Sequence, residues 1–339
     1  MRQLPRLVVA CTLCLAVTWS IVPGAGPVAP KWPAGAPVYD HVVIVMEENK
    51  NFDDIIGSAN APYINSLKAE GASFTQMFGE EHNSQGNYFW LFSGNNQTVG
   101  FMDVVPNATN HPGLYPFTTS NLAQQLIAKH RTFKGYAEGL PSIGFQGETS
   151  PDKLYARKHV PWISFQNVPN GTTMETSCNL RFADFPTTEE GFKSLPTVAF
   201  VIPNLEHDMH NGDPRDSIPR GDAWLKDNID KYYQWAKGHN SLLIVTWDEN
   251  DDKRKYKGLT NPFVKPTDEF THDLQNRVAT IFAGFDIKPG DYAEGKGITH
   301  VNILRTLEAM YGLSKSGAQQ PNAAGGGISD DFIITDVFK

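Results

Sequence analysis

The chain has 339 residues, with 29 Lys+Arg against 37 Asp+Glu and a net charge of −8. That balance argues against a nucleic-acid binder, which carries a basic footprint. With 40% apolar and 11% aromatic residues the chain is not globally disordered, and its 29 Gly and 23 Pro follow no period, which excludes a collagen-like repeat.

Arg2 and Arg6 precede an uncharged apolar run from Leu7 to Val22, and Gly24, Ala25 and Gly26 follow. A basic start, a short apolar run and small residues read as a secretory signal peptide over 1–25. The run is short for a membrane span of ~20 residues, so a secreted or periplasmic protein with no stable membrane anchor after cleavage is expected. Cleavage removes Cys11 and Cys14 and leaves Cys178 alone, so no intrachain disulfide is possible. Cys178 reads as a small apolar residue rather than a nucleophile. Residues 26–37 are rich in Pro, Ala and Gly and read as a linker. Residues 38–339 read as one domain.

Within that domain, short β-branched runs recur at Val42–Met46, Val198–Ile202, Leu242–Val245 and Val278–Phe282, with a further candidate at Thr132–Tyr136. Runs of this length bounded by turn residues suit strands buried on both faces. Helical patterns alternate with them at Pro62–Glu70, Leu122–Lys129, Asp222–Ala236 and His300–Tyr311, the last followed by Gly312 in C-cap position. The alternation predicts an α/β fold with a mostly parallel central sheet and helices on both faces. Asn95–Pro116 and Gly139–Pro196 are loop-rich and read as insertions around a site.

In such a sheet, ligands bind beyond the carboxyl ends of the strands. The segments there are Glu47-Glu48-Asn49-Lys50-Asn51, Asn204-Leu205-Glu206-His207-Asp208-Met209-His210 and Asp248-Glu249-Asn250-Asp251-Asp252. Crowded carboxylates repel unless a cation offsets them, and a divalent metal does so economically. The residue types leave its identity open, between hard cations and zinc, manganese or iron. A further helix is expected from Ser84 to near Gly94. Its N-terminus favours anions, phosphate included. A serine there beside a divalent cation can lose its proton and attack phosphorus. Read alone, Ser84 better suits a helix N-cap.

Taken in order, His41–Asp53, Ser84-Gln85-Gly86-Asn87-Tyr88, Pro203–His210, Val245–Asp251 and His300–Glu308 resemble the phosphoesterase family of bacterial acid phosphatases and non-specific phospholipases C. That family is similar in fold to the alkaline phosphatase superfamily. The resemblance runs from about His41 to Leu313. It implies that Glu48, Asn49, Asp248 and Glu249 bind a divalent metal, that Ser84 is the nucleophile, and that Asn87 holds a phosphoryl oxygen. It implies that Asp208 and His210 serve a second ion where there are two, and that His300 is a site histidine. His210 or His300 is expected to protonate the leaving group. The roles of His82, His207 and His272 stay open.

The phospholipase members continue past the acidic pair with a Gly-Gly-Phe-Tyr-Asp-His-Val segment and have long C-terminal extensions. Here Asn250-Asp251-Asp252-Lys253 follows, and the chain ends soon after Leu313. The expectation is an exported, metal-dependent phosphomonoesterase working through a phosphoserine. A phospholipase C-like phosphodiesterase is the alternative, and a non-catalytic envelope binding protein is a third reading.

Overall fold

A computed structural model describes residues 36–82, 84–99, 104–251, 276–292, 297–317 and 331–339. The expected signal peptide, residues 26–35 of the linker, Asp252, Lys253 and His272 lie outside them. In chain order the strands are β1 (His41–Glu47), β2 (Ala72–Phe74), β3 (Met77–Phe78), β4 (Phe133–Ala137), β5 (Asn179–Arg181), β6 (Val198–Ile202), β7 (Ser241–Trp247), β8 (Thr280–Gly284), β9 (Gly290–Tyr292) and β10 (Ile298–Thr299). The helices are α1 (Phe52–Ile55), α2 (Pro62–Glu70), α3 (Ser84–Ser93), α4 (Leu122–Ala128), α5 (Glu189–Phe192), α6 (Pro214–Ala236) and α7 (His300–Tyr311).

Eight strands form one sheet in the order β5-β4-β6-β1-β7-β8-β2-β9, and β3 pairs with β10 separately. β5, β4, β6, β1 and β7 run parallel to one another. β8 is antiparallel to both β7 and β2, so the sheet is mixed and mostly parallel. β6 and β7 are buried at every residue and β1 at all but His41. That accounts for their unbroken apolar runs, because a strand covered on both faces has no solvent side to make polar.

The period of two along β4 places the helices. Phe133 packs on Phe92 of α3 and on Trp162. Tyr136, on the other face, packs on Phe185, which touches Tyr232 of α6. α3 and α6 therefore cover opposite faces. Gly135 makes room on the α3 face, where a Cβ would lie 2.0 Å from the Trp162 ring. The Trp162 indole N–H donates to Asn179 Oδ1 at 3.0 Å. Cys178 is buried as a free thiol.

α6 starts at Pro214, well before the Asp222 that periodicity indicates. Asp213 caps it by accepting the Arg215 N–H, Pro214 occupies the first turn where no N–H is needed, and Pro219 is carried inside. Asp222 then joins α6 to α2. Its carboxylate accepts the Tyr63 and Ile64 N–H groups at 3.0 and 2.8 Å, both at the N-terminus of α2. Asp222→Ala leaves two buried donors unpaired and is expected to cost about 1–3 kcal/mol, read from the urea unfolding midpoint at constant m-value. An unchanged midpoint would show that water replaces the carboxylate at no cost.

Candidate active site

Strand register brings the acidic segments together. β1 and β7 are paired up to Glu47↔Trp247, so Glu48-Asn49 and Asp248-Glu249 leave the sheet side by side. The Asp248 N–H donates to the Glu47 carbonyl at 3.0 Å. β6 flanks β1 on the other side, and its following loop returns so that the Asp208 carbonyl accepts the Glu48 N–H at 2.7 Å. The Asn49 N–H donates to Asp248 Oδ1 at 3.0 Å. Glu48, Asp208 and Asp248 are fully buried, and Glu249 is 5% exposed.

Ser84, first residue of α3, points into this group. Its Oγ lies 3.0 Å from Glu48 Oε2 and 3.0 Å from Glu249 Oε1. A hydroxyl has one proton and can donate only once. One of the two oxygen–oxygen contacts therefore needs a further proton or a cation between the atoms. Tyr88, one turn along α3, donates to Glu48 Oε1 at 2.7 Å.

His159 completes the cluster from a direction that the motifs do not indicate. It sits on a 3-10 turn in the long connection between β4 and β5 and stacks on Tyr88 with ring centroids 5.0 Å apart. Its Nε2 is 3.2 Å from Glu48 Oε1, and its Nδ1 is 3.8 Å from Asp208 Oδ2. Glu48, His159 and Asp208 form a buried group whose ligand atoms lie within 4.8 Å of one another. Sequence reasoning missed His159 because no strand end or known segment carries it. The available signal was its place inside a loop-rich insertion already read as surrounding a site.

The electrostatics of the cluster ask for positive charge. Burial pushes the Glu48, Asp208 and Asp248 carboxyls well above their ordinary range, and repulsion among the acids adds to it. Burial, together with Lys158 and His210, holds His159 neutral, which leaves a ring nitrogen free to act as a ligand. Asn49 Oδ1, Asp208 Oδ2, Asp248 Oδ2 and His159 Nε2 are buried and make no hydrogen bond. Buried polar atoms seldom stay unsatisfied. Glu48, Asp208 and His159 lie close enough to share one ion, and two carboxylates with a neutral imidazole are a donor set for a divalent cation. The residues present fit such an ion.

The other expected residues separate by environment. His210 is half-buried, with Nδ1 beside Asn211 Oδ1 at 3.1 Å, and its backbone N–H donates to Asp208 Oδ1 at 2.8 Å. His300 is fully buried at the start of α7, with Nε2 donating to the Trp247 carbonyl at 2.8 Å. Burial takes its pKa down to about 4. A neutral imidazole whose N–H is held by a carbonyl is a poor proton donor. The Asn87 side chain accepts the Glu80 and Glu81 N–H groups and donates to the Glu81 carbonyl. The Asn87 amide nitrogen carries a second N–H, so contact with a phosphoryl oxygen does not require it to give up any of these bonds. His82 pairs through Nδ1 with Glu249. His207 bonds Glu138 and stacks on Trp224.

Gly86 lies where a Cβ would fall 1.8 Å from Glu81 Oε1. The glycine thus gives space to a carboxylate. Asn49 (φ 47°) and Met209 (φ 75°) occupy the left-handed region. For residues other than glycine such conformations cost of order 1–3 kcal/mol each and persist only where surroundings enforce them.

A family model described as Phosphoesterase family matches residues 58–314. Over 281 residues, 83% of this chain and 80% of the relative, the sequence is 42% identical to a phosphatidylinositol-3-phosphatase of Mycobacterium tuberculosis. It is 27% identical over 288 residues to a phosphate-repressible acid phosphatase of Penicillium chrysogenum, covering 82% of this chain but 60% of that enzyme. Among solved structures, a protein in the alkaline phosphatase superfamily from Vibrio parahaemolyticus matches with a TM-score of 0.52 at 12% identity, over 83% of this chain and 70% of that one. That likeness shows the fold.

Proposed function

Since the chain belongs to the Phosphoesterase family and is a hydrolase acting on phosphoric esters, we propose that it is an exported phosphomonoesterase using Ser84 as nucleophile at a divalent-metal site. The observation that carries this reading is the placement of the Ser84 hydroxyl 3.0 Å from two carboxylates, with unpartnered ligand atoms around it. Glu48, Asn49, Asp248 and Glu249 would hold the ion, with Asp208 and His159 beside Glu48. A bound divalent ion supplies charge neutralisation and lowers the pKa of an adjacent hydroxyl.

The protein's own groups then divide the work. Ser84 gives its proton to a neighbouring carboxylate and attacks phosphorus in line. The Oγ–P bond forms as the ester P–O bond breaks. His210 donates a proton to the departing alkoxide. Water then attacks the phosphoserine and returns Ser84, with phosphate released. The N–H groups at the start of α3 face the equatorial oxygens, whose charge is what must be offset.

The name of the Mycobacterium relative denotes removal of a monoester phosphate from an inositol lipid, which supports monoester over diester chemistry here. The basic start, apolar run and small residues over 1–25 support export, and no helix among the described residues is long and apolar enough to cross a membrane. The test compares p-nitrophenyl phosphate with bis(p-nitrophenyl) phosphate before and after chelation. Monoester turnover that is lost on chelation and restored by a divalent cation is expected. Faster diester turnover would install the phospholipase C-like reading. Phosphate binding without turnover would install the binding protein.

Protonation by His210 makes a sharper prediction. General acid catalysis is worth ~10²–10⁴-fold where the leaving group needs a proton. His210→Gln is expected to slow hydrolysis of an alkyl phosphate by about 10²-fold and to spare p-nitrophenyl phosphate, whose leaving group departs as a stable anion. Equal losses on both substrates would place His210 in binding rather than proton transfer.

A further inference from the structure

Lys50 follows Asn49 directly and is 3% exposed. An ammonium buried at the edge of this carboxylate cluster would be expected to pair with the acids. Its hydrogen bonds go instead to two backbone carbonyls, Asn49 O at 3.0 Å and Met209 O at 2.6 Å. Both carbonyls belong to residues that hold positive φ, Asn49 at 47° and Met209 at 75°. Asn49 belongs to the segment that carries Glu48, and Met209 separates Asp208 from His210. A left-handed residue turns its carbonyl away from the direction that its neighbours' carbonyls take. Without a donor, the Met209 carbonyl would be left in the interior, since Met209 is fully buried.

The other side of Met209 is fixed as well. A Cβ on Gly221 of α6 would come within 2.5 Å of the Met209 side chain and 2.8 Å of the His207 carbonyl, so the loop is seated directly on the helix backbone. α6 supports the loop from outside, and Lys50 holds it from within. Because the ammonium is directed at carbonyls, the ligand oxygens of Asn49, Asp208 and Asp248 stay unpartnered and available.

We propose that Lys50 is a positioning residue of this site, clamping the Asn49 and Met209 carbonyls so that the Glu48–Asn49 and Asp208–His210 segments keep their left-handed geometry and present their ligand atoms together. The proposal rests on the reading of the site given under Proposed function. Lys50 acts through these segments and does not contact the substrate.

A clamp and a simple counter-charge predict opposite signs for metal binding. Removing a positive charge from among Glu48, Asp208, Asp248 and Asp251 should strengthen Mn²⁺ binding if charge alone matters. Losing the clamp should weaken it, by the 10–100-fold typical of losing a ligand-orienting partner. The experiment uses the full chain and measures Mn²⁺ affinity without substrate, kcat and KM on p-nitrophenyl phosphate, and the melting temperature. For Lys50→Met, Mn²⁺ binding is expected to weaken at least tenfold and kcat to fall about 10²-fold, the scale of a small misplacement of reacting groups. KM should change little, and the protein should still melt cooperatively. Lys50→Arg, which keeps charge and donors, should recover part of both losses. Should Lys50→Met not fold, Lys50→Leu carries the same test, because it too removes both the charge and the donors.

Unchanged or tighter Mn²⁺ binding with near-normal kcat in a folded variant overturns the clamp. A wild type that turns over p-nitrophenyl phosphate while the Lys50 variants match it refutes the clamp alone. A wild type that neither binds Mn²⁺ nor hydrolyses a phosphate ester refutes the site reading, and the clamp with it.

Discussion

Ser84→Ala is expected to lower kcat/KM for p-nitrophenyl phosphate by roughly 10³-fold or more, the scale seen when a covalent nucleophile is removed, with the fold intact. The change deletes one oxygen. It leaves Tyr88 bonded to Glu48 and α3 in place, since every residue of α3 is buried and the helix packs through Phe89 and Phe92 on Phe117, Phe133 and Phe165. Loss of activity therefore reports chemistry and not collapse. Acid-quenched enzyme incubated with labelled substrate should retain covalent phosphate in the wild type and none in the variant. Retention of label in Ser84→Ala would move the nucleophile elsewhere. Activity within tenfold of wild type, with no label in either protein, would point to direct attack by water.

The same geometry explains why Ser84 could not be assigned from its segment alone. A serine opening a helix satisfies capping statistics whether or not it reacts. Its meaning comes from Glu48 and Glu249, which stand far from it in sequence and meet it only because β1 and β7 are neighbours in register. The strands themselves were legible because burial on both faces writes an unbroken apolar run, as at Val198–Ile202. The start of α6 was not legible, because Pro219 and Gly221 interrupt its pattern. In the structure these residues have local reasons to be there: Asp213 caps the helix ahead of Pro214, and Gly221 lets the Met209 loop touch the helix backbone. His159 was not legible for a third reason. Its position is fixed by stacking on Tyr88, a tertiary contact with no local pattern. Lys50 read as one more polar residue after a strand, and only the carbonyls it reaches separate it from its neighbours.

Glu48→Gln is expected to abolish metal-dependent activity and yet to make the metal-free protein more stable. Glu48 is the hub of the site. Oε1 accepts Tyr88 and lies beside His159, and Oε2 faces Ser84. Glutamine keeps the shape and one acceptor for Tyr88 but carries no charge. Metal affinity should fall by more than the 10–100-fold typical of losing a supporting partner, and turnover with it. In the absence of metal the buried carboxylate is a burden, desolvated and facing Asp208 and Glu249. Replacing a buried charge with a neutral group of the same shape is often neutral or stabilising by about 1–4 kcal/mol.

The sign of the pH dependence follows from the raised carboxyl pKa. The folded wild type keeps a proton that the unfolded chain releases above the ordinary glutamate range, so its stability falls as pH rises from there. The advantage of the variant should therefore be absent near pH 4 and grow toward neutrality. Ligand linkage acts in the opposite direction, adding ~2.7 kcal/mol at a hundredfold excess over Kd, and only for a protein that binds. The two stability curves should cross: Glu48→Gln above wild type in chelator, wild type above Glu48→Gln in excess Mn²⁺. Urea titrations at neutral pH under both conditions measure this directly. A variant less stable than wild type in both would show that the Glu48 carboxylate serves Tyr88 and Ser84 as a structural acceptor, and that no cation is needed to hold the cluster together.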